Sequence, residues 1–223
     1  MNKEKRFTVS NIMAAILLTV LLLSFAAVFT LNFRPLYYAT VDLFGIPAAS
    51  GLSAEEIRMN YDALISYNSI FAQGPLTFPT LPMSETGRIH FAEVKRIFVL
   101  TQALLIASSV CAAPICAYKL RRKQTSFLKL GAACSLVLPL VIGALIAAGW
   151  DRFFIAFHEL FFDNGFWIFD SRTDPVINLL PDTFFLLCAA MILLVTIAGS
   201  AALYLIGRRL DRRRSREKSA ARA

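Results

Sequence analysis

Residues 183–207 read TFFLLCAAMILLVTIAGSAALYLIG, 25 consecutive positions without a charged side chain. Crossing the hydrocarbon core of a bilayer takes about 20 apolar residues as a helix. The stretch is apolar on every face, so it lacks the in–out alternation of a barrel strand. A backbone in lipid must also satisfy its own hydrogen bonds, which leaves helix as the conformation. Three further stretches behave alike: residues 12–29 hold 18 positions without a charge, residues 97–118 hold 22, and residues 130–150 hold 21. Pro114 and Pro139 fall inside two of them, where membrane helices accept a kink. Overall, 57% of the 223 residues are hydrophobic and 17% charged. That length suits one membrane domain and no second large soluble one.

Charge sets the expected orientation. Residues 1–11, 119–129 and 208–223 together carry 16 of the 23 Lys/Arg and three of the 15 Asp/Glu, namely Glu4, Asp211 and Glu217. The intervening loops carry seven basic and twelve acidic residues. Basic residues concentrate on the cytoplasmic side of membrane proteins, so both termini and the middle loop are expected there. The first apolar stretch follows Lys3, Lys5 and Arg6, as a signal peptide would. Its length and the lack of a small-residue cleavage site read instead as a signal anchor. The tail from Arg208 reads as a stop-transfer and lipid-headgroup anchor, with no nucleic-acid partner.

The expected fold class is therefore an all-α membrane protein, a four-transmembrane-helix bundle capped by two extracytoplasmic loops with short helices. The order is a cytoplasmic N-terminus 1–11, transmembrane helices 12–31, 92–118, 130–150 and 183–207, a cytoplasmic loop 119–129 and a basic tail 208–223. The first outer loop, 32–91, should hold an amphipathic helix over 53–71. There Ser53 and Glu56 have capping-box spacing, and Ile57, Tyr61, Leu64 and Ile65 share one face. Leu76-Thr77-Phe78 is expected as a short strand. The second outer segment, 151–182, is too polar to span and rich in aromatic residues, so it reads as an interfacial or re-entrant element. Cys111, Cys116, Cys134 and Cys188 all fall inside apolar stretches. They read as small packing residues, not as a metal or redox motif.

Only two histidines occur, His90 and His158, and both fall at outer membrane boundaries in different loops. Either one alone is an ordinary interfacial polar residue. Together, at matching depth and on one side, they suit a single pocket that needs two imidazoles. Glu93 lies three residues after His90 on the same helix face, where a carboxylate is expected to hydrogen-bond the imidazole. Lys95 and Arg96 are expected to line a polar cavity facing the acids of 151–182. Most other outward charges, among them Arg58, Asp62, Arg88, Asp170, Arg172 and Asp174, read as solvated or ion-paired. His158-Glu159-Leu160-Phe161-Phe162 lacks the second histidine of a zincin motif. No Gly-x-Ser-x-Gly elbow or glycine-rich phosphate loop occurs, and no metal or other cofactor is expected.

Three blocks carry a family resemblance. They are Glu56-Ile57-Arg58-Met59-Asn60-Tyr61-Asp62; His90-Phe91-Ala92-Glu93-Val94-Lys95; and Phe157-His158-Glu159-Leu160-Phe161-Phe162 followed by Trp167, Phe169, Asp170, Asp174 and Leu180-Pro181-Asp182. In this order, with four spans, the chain resembles the lipoprotein intramolecular transacylase (Lit) family of bacterial membrane enzymes. The resemblance implies a diacylated lipoprotein as substrate within membrane lipid. One acyl chain would pass from the diacylglyceryl group to the α-amine of the N-terminal cysteine, giving the lyso form. No acyl carrier is needed, because donor and acceptor share one molecule. His158 is then expected as base, and His90, oriented by Glu93, as support for the oxyanion or leaving alkoxide. Lys95, Arg96, Tyr61, Arg58, Trp167, Asp170 and Asp174 are the expected supporting residues. The alternative is a non-enzymatic membrane accessory protein that binds a partner. Oligomeric state stays open.

Overall fold

The computed structural model describes residues 8–221. The N-terminal Lys3, Glu4, Lys5 and Arg6, and the last two residues, lie outside them. The described chain is all-helical: α1 (Val9–Asn32), α2 (Arg34–Leu43), α3 (Ile46–Ser50), α4 (Ala54–Tyr67), α5 (Glu85–Arg121), α6 (Ser126–Ala148), α7 (Trp150–Phe161), a 3-10 turn (Pro175–Leu179) and α8 (Asp182–Ala220). Four of these, α1, α5, α6 and α8, are long and apolar enough to cross a membrane. Their outer surfaces carry exposed Leu100, Val110, Val137, Leu138 and Leu194, side chains that suit lipid rather than water.

Two compact units share these helices along the chain. One comprises the described residues up to Ala27, Leu104–Ala144 and the described residues from Met191. Its core is Ala14, Leu18, Ala112, Phe127 and Leu128. Close helix approach there depends on Gly131, where an added Cβ would sit 3.2 Å from Leu18 Cβ. At its polar end Asp211 accepts from Thr125 and pairs with Lys129.

The other unit comprises Val28–Ala103 and Leu145–Ala190, and it contains both histidines. Its core gathers Tyr37, Val41, Ile46, Ile57, Tyr61, Leu64, Ile65, Leu179 and Phe184. Tyr37 stacks on Tyr61 with ring centroids 3.7 Å apart, and both meet Phe184 edge-on. The Tyr37 hydroxyl donates to the Leu179 carbonyl at 2.8 Å, tying α2 to the 3-10 turn.

Helix α4 starts where the local chemistry demands. The Ser53 hydroxyl accepts from Glu56 N–H, and the Glu56 carboxylate accepts from Ser53 N–H, so the reciprocal box is closed. The helix ends at Tyr67, four residues short of the expected 71. Asn68 is its C-cap, with its backbone N–H shared between the Leu64 and Ile65 carbonyls and its side-chain amide adding a 2.9 Å bond to Leu64 O. No strand forms among the described residues. Leu76 and Phe78 are buried with Thr77 exposed, so the alternation is real, but the segment has no paired strand. The basic tail continues α8 as helix to Ala220.

Candidate active site

Both histidines come to one place. Their ring centroids are 6.2 Å apart with planes inclined by 32°. His90 lies on the first turns of α5, before the apolar stretch that begins at Ile97, and is 5% exposed. His158 lies in the last turn of α7 and is half-buried. Phe162 touches both imidazoles, with centroids 4.8 Å from His90 and 5.7 Å from His158. Phe169 meets His90 at 5.4 Å, while Trp167 and Phe154 meet His158 at 4.7 Å and 4.1 Å. The pair is therefore walled by aromatic rings.

A turn after α7 builds this wall. Phe162 closes the helix in an extended conformation. In Asp163-Asn164-Gly165, the Asn164 side-chain oxygen then accepts from Phe166 N–H at 3.0 Å, the local bond that makes asparagine a turn former. The chain reverses, so Phe162 before the turn and Trp167 and Phe169 after it flank the two imidazoles.

A second joint presses this segment onto α5. Asp174 is 2% exposed, and its Oδ1 accepts from Ser84 N–H at 2.8 Å while its Oδ2 accepts from Thr173 at 2.8 Å. Ser84 in turn caps α5 by accepting from Gly87 N–H at 3.0 Å. Gly87 is required here: a Cβ would fall on Asp174 Oδ1 and lie 3.2 Å from the Phe169 ring. Asp174 thus positions the turn that carries His90 against Phe169.

The tautomers follow from the contacts. His158 Nδ1 lies 2.7 Å from the Phe154 carbonyl. A carbonyl only accepts, so Nδ1 carries the proton and Nε2 holds the lone pair. Burial lowers the His158 pKa, opposed in part by that backbone bond. His90 is pushed down to about 4, first by burial and second by the charge of His158. Both rings are neutral near pH 7. His90 Nδ1 is buried without a hydrogen-bond partner among the described residues.

The expected bond from Glu93 to His90 is not formed. Glu93 Oε1 accepts from Asn164 Nδ2 at 2.9 Å, and Glu93 Oε2 is buried without a partner among the described residues. Asparagine, 71 positions away in sequence, competes for the carboxylate that local spacing assigned to the imidazole. The expected cavity role of Lys95 and Arg96 is also replaced. Lys95 donates to the Ala72 carbonyl at 2.9 Å and lies 4.2 Å from the Tyr67 ring centroid, pinning the loop after α4. Arg96 is exposed.

Of the other expected supporting residues, Trp167 lines the pair, whereas Tyr61 packs in the hydrophobic core. Arg58 lies over the Tyr38 ring at 5.5 Å, beside an Arg34–Asp62 ion pair. Asp170 pairs with exposed Arg172, which holds its carboxyl below the usual range. Phe162 and Phe169, which the family resemblance quoted without giving them a role, belong to the site, as does Asn164, which was not among the expected residues. Asn164 carried one local signal, its place in an Asp-Asn-Gly turn. No cluster of three His, Cys, Asp or Glu suited to a metal occurs among the described residues.

Known proteins give the geometry a context. The family profile of lipoprotein intramolecular transacylase Lit matches residues 12–185. The in meso structure of the membrane integral lipoprotein intramolecular transacylase Lit from Bacillus cereus is similar with a TM-score of 0.90 and 34% identity, covering 92% of this chain and 96% of that one. Two further structures of the Bacillus cereus protein each carry a mutation of one histidine. The arginine variant matches at 0.86 and 33% identity over 93% of each chain. The alanine variant matches at 0.85 and 33% over 92% of this chain and 94% of that one. A search among curated proteins returns no match. With the profile spanning most of the chain and the fold shared at this identity, the chain belongs to the Lit family of lipoprotein intramolecular transacylases, integral membrane acyltransferases that act on lipoproteins.

Proposed function

We propose that this protein moves an acyl chain from the diacylglyceryl group of a lipoprotein to the α-amine of its N-terminal cysteine, using His158 as base and His90 as oxyanion support. The observation that carries the reading is the pair of neutral imidazoles 6.2 Å apart inside an aromatic wall. An amine attacks an ester only after losing a proton, and His158 Nε2 is oriented to take it because Nδ1 is committed to Phe154 O. The amine nitrogen bonds to the acyl carbon, and the carbonyl oxygen gathers negative charge. Neutral His90 donates an N–H to that oxygen, a stabilisation that acts most strongly in a water-poor site. The ester C–O bond then breaks, the proton held on His158 passes to the departing glycerol oxygen, and the second surplus proton on the acylated nitrogen is released to solvent. The products are an N-acyl group and a free glycerol hydroxyl, with the base restored.

The proposal includes orientation. The charge asymmetry supports cytoplasmic termini and a site on the extracytoplasmic face, where a lipoprotein's acylated end resides in the outer leaflet. The test is to replace His90 and His158 singly by Ala and to read lipoprotein N-termini by mass spectrometry in cells that depend on this protein. Each variant should lose lyso-form product by about 10²–10⁴-fold, the usual contribution of acid–base catalysis. Product formed at the wild-type rate in either variant removes that residue from the mechanism.

A further inference from the structure

We propose that Glu93, held by Asn164, receives the α-ammonium group of the lipoprotein's N-terminal cysteine before it is deprotonated. This inference rests on the O-to-N transfer proposed above, and it assigns the carboxylate a substrate instead of His90. A free N-terminal amine arrives protonated near neutral pH. Both imidazoles are neutral, so neither attracts a cation, and the aromatic wall offers no formal charge. The site therefore needs one anionic acceptor within reach of His158 and His90.

The surrounding acids leave one candidate. Asp174 spends both oxygens on Ser84 and Thr173. Asp170 is paired with Arg172 in solvent. Asp163 and Glu159 are exposed. Glu93 differs from all of them. It lies one turn from His90 on the same helix, so the two side chains are neighbours about 5–6 Å apart at Cβ. Its Oε1 accepts from Asn164, which stands in the turn between Phe162 and Trp167, the residues that touch the imidazoles. Its Oε2 is buried with no hydrogen-bond partner among the described residues. A buried carboxylate oxygen without a donor is costly unless a ligand supplies one.

An ammonium has three N–H bonds. One can go to Glu93 Oε2 and another can point at His158 Nε2. Transfer of the second proton to His158 leaves a neutral amine still anchored by Glu93, with its lone pair free for the ester carbon. Asn164 acts on Glu93 and not on substrate, and it fixes which oxygen is presented.

The test measures binding apart from turnover, with two ether-linked dialkylglyceryl cysteine peptides that cannot transfer an acyl chain. One bears the free α-amine, and the other bears a hydroxyl in its place. Detergent-solubilised wild-type protein should bind the amine at least tenfold more tightly. Glu93→Gln should abolish that preference, weakening the amine by about 10–100-fold, the range for a lost charge-assisted bond, and sparing the hydroxyl peptide. Equal affinity of wild type for both peptides overturns the proposal without any variant. Equal weakening of both peptides in Glu93→Gln makes Glu93 structural and overturns it too. Loss of turnover in His158→Ala alongside an unchanged preference in Glu93→Gln would retire this proposal and leave the acyl-transfer reading intact.

Discussion

Lowering the pH from 7 to 4 should destabilise this protein through His90. The imidazole is 5% exposed, and its Nδ1 has no hydrogen-bond partner among the described residues. Its pKa falls from 6.5 to about 4. In the unfolded chain the ring takes a proton near pH 6.5, while the folded site refuses one until about pH 4. Between those values the unfolded state binds more protons, so stability falls as pH falls, and below the window the effect is complete. At about 1.4 kcal/mol per unit, the gap corresponds to about 3 kcal/mol. For a chain of this size that is about 6–12 °C of melting temperature. The assay is thermal unfolding in detergent at pH 7 and pH 4 for wild type and His90→Gln. Carboxylates titrate in both proteins, so the difference between their pH slopes isolates His90. The wild type should lose about 3 kcal/mol more than the variant. Parallel curves would refute the burial argument. A His158→Gln background refines it: the charge of His158 is the second cause of the depression, so its removal should narrow the window.

Two substitutions probe the supports of the site. Gly87→Ala places a methyl on Asp174 Oδ1 and beside Phe169. Because Asp174 is buried and doubly bonded, it cannot yield, and overpacking should cost about 1–3 kcal/mol. Melting temperature and lyso-product formation should fall together; a wild-type melt would show that the Asp174–Ser84 joint is soft. Tyr37→Phe removes the 2.8 Å bond to the Leu179 carbonyl and leaves that acceptor buried, at about 1–3 kcal/mol. Here the melting temperature should drop while turnover at low temperature persists, and an unchanged melt would mean water replaces the hydroxyl.

Legibility followed the range of each interaction. The four long helices were readable because lipid forces a compositional signature on every residue of a span. The α4 start was readable because Ser53 and Glu56 satisfy each other across three positions. The α4 end is less legible: the apolar face stops at Ile65, the chain turns polar from Asn68, and no signal of comparable strength to the Ser53–Glu56 box separates Tyr67 from the expected residue 71. Within the site, the two histidines stood out by scarcity, but their surroundings did not. The chain holds 19 phenylalanines, and composition and spacing do not set Phe162 and Phe169 apart from the rest; they, Trp167 and Asp174 came forward only through the family resemblance. Asp174 reaches Ser84 across 90 positions and Asn164 reaches Glu93 across 71, pairings that no periodicity encodes. The Glu93 case shows how such a contact alters chemistry and not merely geometry. Helical spacing alone hands the carboxylate to His90, which would favour a protonated ring. The bond from Asn164 takes one oxygen instead, and burial keeps His90 neutral. A neutral His90 can donate to an oxyanion without first attracting a counter-charge. The second Glu93 oxygen is left for a cation, and the proposed reaction brings one in its substrate's α-ammonium.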